Sequence, residues 1–545
     1  MNFLFKILIV NILIIIPRLS SMEFPYHPNE EVKLISGIQI GVRPTTSSSQ
    51  EAKKFFNQGL NLIYAFNHDE AYWSFQKAAA LDPDYAMAYW GMALALGSNI
   101  NMDITKKSEK IAYQHTQKAL ELSQNITESE KDYIKALSSR YTDAENPDHR
   151  LFNLNYRDAM KKLLEKYPDD PDAAVLYAES AMDVMPWKLW TPEGDPNEGT
   201  LDIVDVLENV LKRNPHHLGA NHYYIHAIEA SKHPEYALMS AERLKKIAPF
   251  LGHIMHMPSH IYILVGNYHE ASLANQAAIA ADLSYIKYYG LDGIYPLHYL
   301  SHNYFFLVRA LSMEGKYRSA LKTAQELEDF YAPHFKSMPE LEYYLFAKLS
   351  VLLRFHKWKE ILELPKPAAG TSVTEALWHF ARGMAFAGLF DKQNALKEQS
   401  NFFDIQSQVS KDTVFGFNPV KSIFDIANLL LKAKITKLDS NFKEEITFLE
   451  EAIKIQDGLN YNEPPDWYFS VRENLGGAFL QNDQPKEAEA IFRKDLNHHP
   501  RNGRSLFGLL LSLKKQKREA DSYFVEKEFE EAWKYSDEPL DVSEL

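Results

Sequence analysis

Residues 222 to 229 read HYYIHAIE and residues 252 to 260 read GHIMHMPSH. His222 and His226 stand four apart, His256 and His260 repeat the interval, and each histidine lies 34 residues from its counterpart. Neutral imidazole is a ligand for Zn, Cu, Fe and Ni. On a helix, side chains at i, i+4 and i+7 share one face, so His222, His226 and Glu229 form a stripe of two nitrogen donors and a carboxylate. Glu229 is therefore a candidate ligand or base. His302 is a further candidate, and His253 and His298 lie close enough in sequence to join. With no cysteine in the chain, thiolate sites, disulfides and thiol catalysis are excluded. The zincin pattern HExxH is absent, since HEASL from His269 lacks the second histidine. There is no P-loop, no dinucleotide fingerprint and no serine-hydrolase elbow.

The elements that must position these residues are paired amphipathic helices joined by short turns such as FNHD, VGNY, EGKY and QNDQ. Residues 52 to 85 carry Gly59, Ala71, Phe75, Ala78 and Pro83, and residues 469 to 502 carry Gly476, Ala488, Phe492 and Pro500. Small residues at positions 8, 20 and 27, an aromatic at 24 and proline at 32 make the 34-residue tetratricopeptide pattern of two closely packed helices. Units starting at 218 and 252 keep the register through Ala237, Pro249, Ala271 and Ala278, and a unit from about Ser301 places Ala320 at position 20. The chain is expected to be an all-α helical-hairpin solenoid. Its expected divisions are N-terminal repeat helices over 38–145, central repeats over 150–335, degenerate repeats over 336–415 and C-terminal repeats over 416–536. An interruption is expected at 185–200, MPWKLWTPEGDPNEGT, where proline and glycine forbid a helix.

In this register the histidines occupy positions 5 and 9 of the first helix in two consecutive units, and Glu229 occupies position 12. Positions 2, 5, 9 and 12 of that helix face the concave groove of such arrays. Adjacent helix axes lie about 8–10 Å apart, so histidines from neighbouring units can reach one ion at about 2.0–2.1 Å. The next unit offers His302 at position 2, with His298 one turn earlier, while Phe305 and Arg309 stand at its positions 5 and 9. Pro258 starts or kinks the helix that carries His260, which puts His253, His256 and His260 at an irregular helix start. Tyr223, Phe305 and Arg309 are expected to line the groove. Trp187 and Trp190 from the insertion, with Glu463 and Trp467 from NEPPDWY, are expected to close one end.

The stretches YAFNHDEAYWSFQKAAALDPDYAMAYWGMALALGSNIN, ANHYYIHAIEAS, GHIMHMPSHIYILVGNYHEA, NEPPDWYFSVRENLGG and RNGRSLFGL resemble a family of large, often exported bacterial tetratricopeptide-repeat proteins. The resemblance covers most of the chain and implies an α-solenoid. It supplies no activity. Relatives often carry histidine where this chain has Phe305, a departure that bears on any ligand role for the third helix.

Composition bounds the function further. At 545 residues with a net charge of −14 the chain has no clustered Lys and Arg of the kind that binds phosphate backbones, so nucleic acid is not expected as a partner. Residues 1 to 21 carry one lysine, an apolar run from Ile7 to Ile16, then Pro17 and small residues, the pattern of an export signal too short to span a bilayer. Losing Lys6 and Arg18 with it takes the charge to −16. The expectation is an exported protein, periplasmic or secreted, with no membrane segment after the signal is removed. Its groove is expected to bind a peptide or protein segment or, through the histidines, to hold Zn, Cu, Fe or Ni and support metal-dependent chemistry.

Overall fold

The computed structural model describes residues 32–35, 41–289, 295–332, 334, 339–368, 371–467 and 469–545. The expected export segment, 1–21, lies outside the described residues. Among the described residues, twelve helical hairpins follow one another from Gln50–Ile63 to Glu519–Ala532. Among the described residues the strands amount to one short antiparallel pair, Val414–Phe415 with Asn418–Pro419. The fold is all-α, a tetratricopeptide-type helical-hairpin solenoid, and no described helix is long and apolar enough to cross a membrane.

Close helix packing at the small positions explains the repeat. Phe75 is fully buried between the first helix of its own unit and that of the next, and it fits because Gly59 and Gly91 have no side chain. A Cβ on Gly59 would lie 2.7 Å from the Phe75 ring, and one on Gly91 would lie 2.4 Å from it. Near the other end Phe492 is held in the same way by Gly476 and Gly508, where a Cβ would come within 2.4 and 2.2 Å of its ring. The buried apolar core runs from Ala52 to Ile261 as one cluster, continues from Ile279 to Ala478, and ends in a smaller cluster reaching Leu545.

The solenoid curls back on itself, and this corrects the expectation of an open groove. The Tyr268 hydroxyl donates to the Pro500 carbonyl at 2.9 Å, and Arg501 Nη1 donates to Asn267 Oδ1 at 2.8 Å. The Tyr317 amide donates to Asp537 Oδ1 at 2.7 Å. From the opposite side, Gly219 packs on Tyr64 and Val175. The inward face is thus covered by the chain's own segments. Tyr223, Phe305 and Arg309, expected to line the groove, and Glu463 and Trp467, expected to close one end of it, are buried. Phe305 packs edge-on to Tyr343 and Tyr344, Trp467 lies against Phe346 and Phe380, and Arg309 Nη1 pairs with Glu463 Oε2 at 3.4 Å. Trp187 and Trp190 remain partly exposed.

Overpacking a close helix contact costs typically 1–3 kcal/mol. Gly91→Val is therefore expected to lower the urea midpoint by about that much free energy, and Phe75→Leu in the same chain should restore part of it. An unchanged midpoint for Gly91→Val would contradict the packing described.

Candidate metal centre

The helix Leu218–Ile228 is started by His217, whose side chain accepts the Ala220 amide at 3.2 Å. The next unit opens with Gly252–His256, and Pro258 begins Pro258–Leu264. Met257 between them keeps right-handed helical geometry, so the proline kinks the segment without ending it. Spacings of three and four then carry His253, His256 and His260 to the same side, facing His222 and His226.

The six histidines form two trios. His222, His226 and His253 each offer a nitrogen within 4.8 Å of the others, and so do His256, His260 and His302. The Nε2 atoms of His222 and His226 are 3.1 Å apart, His253 Nε2 is 3.1 Å from His222 Nε2, and the Nε2 atoms of His256 and His260 are 2.8 Å apart. Three nitrogens around a tetrahedral ion at 2.0–2.1 Å would lie about 3.3 Å from one another, so little rearrangement is needed. Both trios follow one rule: positions 5 and 9 of one unit, plus position 2 of the next. The His226 and His260 rings, one from each trio, are 5.8 Å apart between centroids.

The other ring nitrogens decide the chemistry. His222 Nδ1 lies 2.6 Å from the Tyr64 carbonyl oxygen, an acceptor with no hydrogen to give. His226 Nδ1 and His260 Nδ1 lie 2.8 and 2.5 Å from the two oxygens of Glu229. His256 Nδ1 lies 2.6 Å from Asn275 Oδ1, and that amide is oriented by its own NH2 group donating to the Ala271 carbonyl at 2.8 Å. A neutral imidazole has one proton. With that proton on Nδ1 in four of the six rings, their Nε2 atoms carry lone pairs and face one another at hydrogen-bond distance with no hydrogen between them. A shared cation resolves this arrangement, and orienting a ligand ring through Nδ1–H to a carboxylate or carbonyl is the usual support for a metal-bound histidine.

Burial favours the neutral form of five rings, His222, His226, His253, His256 and His302. Burial, followed by the neighbouring rings, holds His222, His253 and His256 well below the ordinary histidine value and His302 at about 3. His226 is also lowered by burial, against the opposing hydrogen bond to Glu229. Burial by itself would raise the Glu229 carboxyl, but His260 beside it and the hydrogen bonds from His226 and His260 bring it down to about 2. Glu229 is an ionised acceptor, and the Tyr461 hydroxyl donates to it as well, at 3.2 Å.

The structure thus brings six of the candidate ligands, His222, His226, His253, His256, His260 and His302, into two sets. It corrects two others. Glu229 orients one ring from each trio instead of standing among the converging nitrogens, because both its oxygens are taken by Nδ1 groups. His298 belongs to neither trio, and burial lowers it to about 4.

Each trio is backed by a phenylalanine that the sequence did not single out. Phe66 lies 4.6 to 5.8 Å from His222, His226 and His253, and Phe306 lies 4.7 to 5.3 Å from His256, His260 and His302. Phe66 occupies the left-handed turn position at φ +60°, where Gly266 and Gly315 stand in equivalent turns. His356, Phe390, Ser440, Asp483 and Lys517 hold the same left-handed position in other turns, so the fold accepts a side chain there. This φ was not readable from FNHD. Tyr461 and Asn275 were also missed, although Tyr461 immediately precedes the NEPPDWY stretch.

A small cavity of about 20 Å³ borders the first trio, lined in part by Trp187, Leu189, Trp190, His226, Glu229 and Tyr461. Trp190 Nε1 donates to the Ala227 carbonyl at 2.7 Å, and the Trp187 ring meets His226 edge-on at 5.7 Å.

No family model and no curated protein matches this chain. Solved structures similar to it include the crystal structure of the APC/C hetero-tetramer Cut9-Hcn1, 12% identical at a TM-score of 0.29, covering 90% of this chain and 76% of that one. The crystal structure of yeast Tom70 is 12% identical at a TM-score of 0.30, covering 87% of this chain and 98% of that one. That of the P58(IPK) TPR domain is 12% identical at 0.20, covering 86% and 99%. Scores this low carry no inference about partners or activity.

Proposed function

We propose that the protein is a metal-binding protein that holds two first-row transition ions, one in each histidine trio, as the centre of a metal-dependent enzyme of hydrolytic or oxidative type. The observation that carries this is the opposed Nε2 atoms whose partner Nδ1 protons are already committed to Tyr64, Glu229 and Asn275. A donor set of imidazole nitrogens without sulfur suits Zn or Cu best, with Fe and Ni as further occupants. Three protein ligands leave a fourth position for water or substrate, which is the pattern of catalytic sites and not of closed structural ones. An ion there supplies Lewis acidity or redox chemistry. The chain's own residues orient the ligands through Glu229, exclude bulk water with Phe66 and Phe306, and hold a phenolic proton at Tyr461.

A second reading, a scaffold that binds a peptide or protein segment, rests on the helical-hairpin architecture. The chain fills its own inward face, so such a partner would dock on the outer surface of the solenoid. We also propose export to the periplasm or beyond on the strength of residues 1–21. Cell fractionation of the full chain checks this: recovery in the cytoplasm at full length would contradict it, and a chain starting at Met22 should fold and remain in solution.

The metal-free protein, dialysed against micromolar Zn or Cu, is expected to take up two ions by elemental analysis and to unfold at a higher temperature. The gain is about 2.7 kcal/mol when free ion is 100 times its dissociation constant. His226→Ala and His260→Ala should each lose one ion, while Glu229→Gln should weaken both sites by about 10–100-fold, the usual cost of losing an outer-shell partner. Absence of any uptake would overturn the proposal. The pH dependence has a definite sign. Histidines held below 6.5 in the folded state take up protons on unfolding, so the metal-free protein should lose stability as pH falls below about 6.5. A urea midpoint that is flat from pH 7.5 to 5.5 would contradict the neutral assignment.

A further inference from the structure

The insertion 185–200 interrupts an otherwise regular array and leaves two tryptophans, partly exposed, between solvent and the histidines. Trp190 is pinned by its bond to the Ala227 carbonyl, one residue beyond His226. Trp187 adopts a left-handed conformation, φ +60°, with its ring edge-on to His226 at 5.7 Å and 5.7 Å from Phe417. A backbone geometry unfavourable for a bulky residue persists where the surroundings over-determine it, and such positions gather at ligand clamps. Here it holds an indole against one metal-ligand candidate. Between these rings and Glu229 lies the cavity of about 20 Å³, somewhat more than the roughly 10–15 Å³ that one water needs. On the other side of the trio Phe66 stacks on His226 and His253 and leaves no such space described.

Resting on the metal reading above, we propose that the ion held by His222, His226 and His253 takes a small exogenous ligand of two or three heavy atoms, admitted through this cavity, with Trp187 setting the size limit. The second trio is backed by Phe306 and does not border the cavity. The cavity thus reaches the first trio alone, whose three histidines are buried, while in the second trio His302 is partly exposed. Glu229 lies at the boundary, touching the cavity and one ring of each trio, and Tyr461 places a hydroxyl on the same wall.

The test uses the full chain loaded with Cu(II) and probed with azide and with imidazole. Azide should produce a new charge-transfer absorption and change the electron paramagnetic resonance signal of the copper in the trio that borders the cavity. Imidazole, too broad for the cavity, should leave the wild type unchanged and act only on Trp187→Ala. Leu189→Phe, which fills the cavity from a residue outside the metal ligands, should keep both coppers by elemental analysis and lose the azide response. Two bound coppers with no azide response in the wild type, or an unchanged response in Leu189→Phe, would overturn the inference while leaving the metal reading intact. Failure of the wild type to bind copper, zinc, iron or nickel would overturn both.

Discussion

Everything at the centre of this molecule depends on where four protons sit. Buried acceptors at Tyr64, Glu229 and Asn275 claim the Nδ1–H groups of His222, His226, His260 and His256, which turns the Nε2 lone pairs toward one another. Leaving such groups uncompensated in a buried site is costly, because the desolvation of each polar atom is not returned by a bond. The same acceptors that create the conflict fix the ring orientations a metal ion requires. Glu229 does this for both trios at once, so one carboxylate ties two neighbouring repeats into a single electrostatic unit.

The fold serves this arrangement by curvature. A helical-hairpin array ordinarily presents its inner helices to a concave surface. Here the N-terminal turn brings the Tyr64 carbonyl and Phe66 onto the helix carrying His222, while Tyr461 returns from the C-terminal half to reach Glu229. A site assembled from residues so far apart in sequence forms only when the whole superhelix has closed. Packing of Phe75 between Gly59 and Gly91, and of Phe492 between Gly476 and Gly508, holds the units at both ends close enough for that closure.

Much of this was legible in the sequence because repeats convert spacing into direction. The 34-residue register placed His222, His226, His256 and His260 on one inward face and His302 at position 2 of the next unit, with His253 nearby in sequence. What the register could not show was contact between units distant in sequence. Tyr64 contributes a backbone carbonyl, which has no sequence signature, and Phe66 depends on a left-handed turn that other hairpins form with glycine and with larger residues alike. The burial of Tyr223, Phe305, Arg309, Glu463 and Trp467 had the same origin: position within a repeat fixes which face a side chain takes but not whether another part of the chain covers it. Glu229 was placed on the inward face, but spacing alone does not separate a ligand from the group that orients one.

The central claim is that each trio holds its own ion through imidazole nitrogens. Anomalous diffraction from crystals of zinc- or copper-loaded protein, recorded at the metal edge, tests it most directly. The account predicts two peaks, one about 2.0–2.1 Å from the Nε2 atoms of His222, His226 and His253 and the other at the same distance from the Nε2 atoms of His256 and His260 and a ring nitrogen of His302. A single peak coordinated by Glu229, or no peak within the histidine cluster, would contradict it.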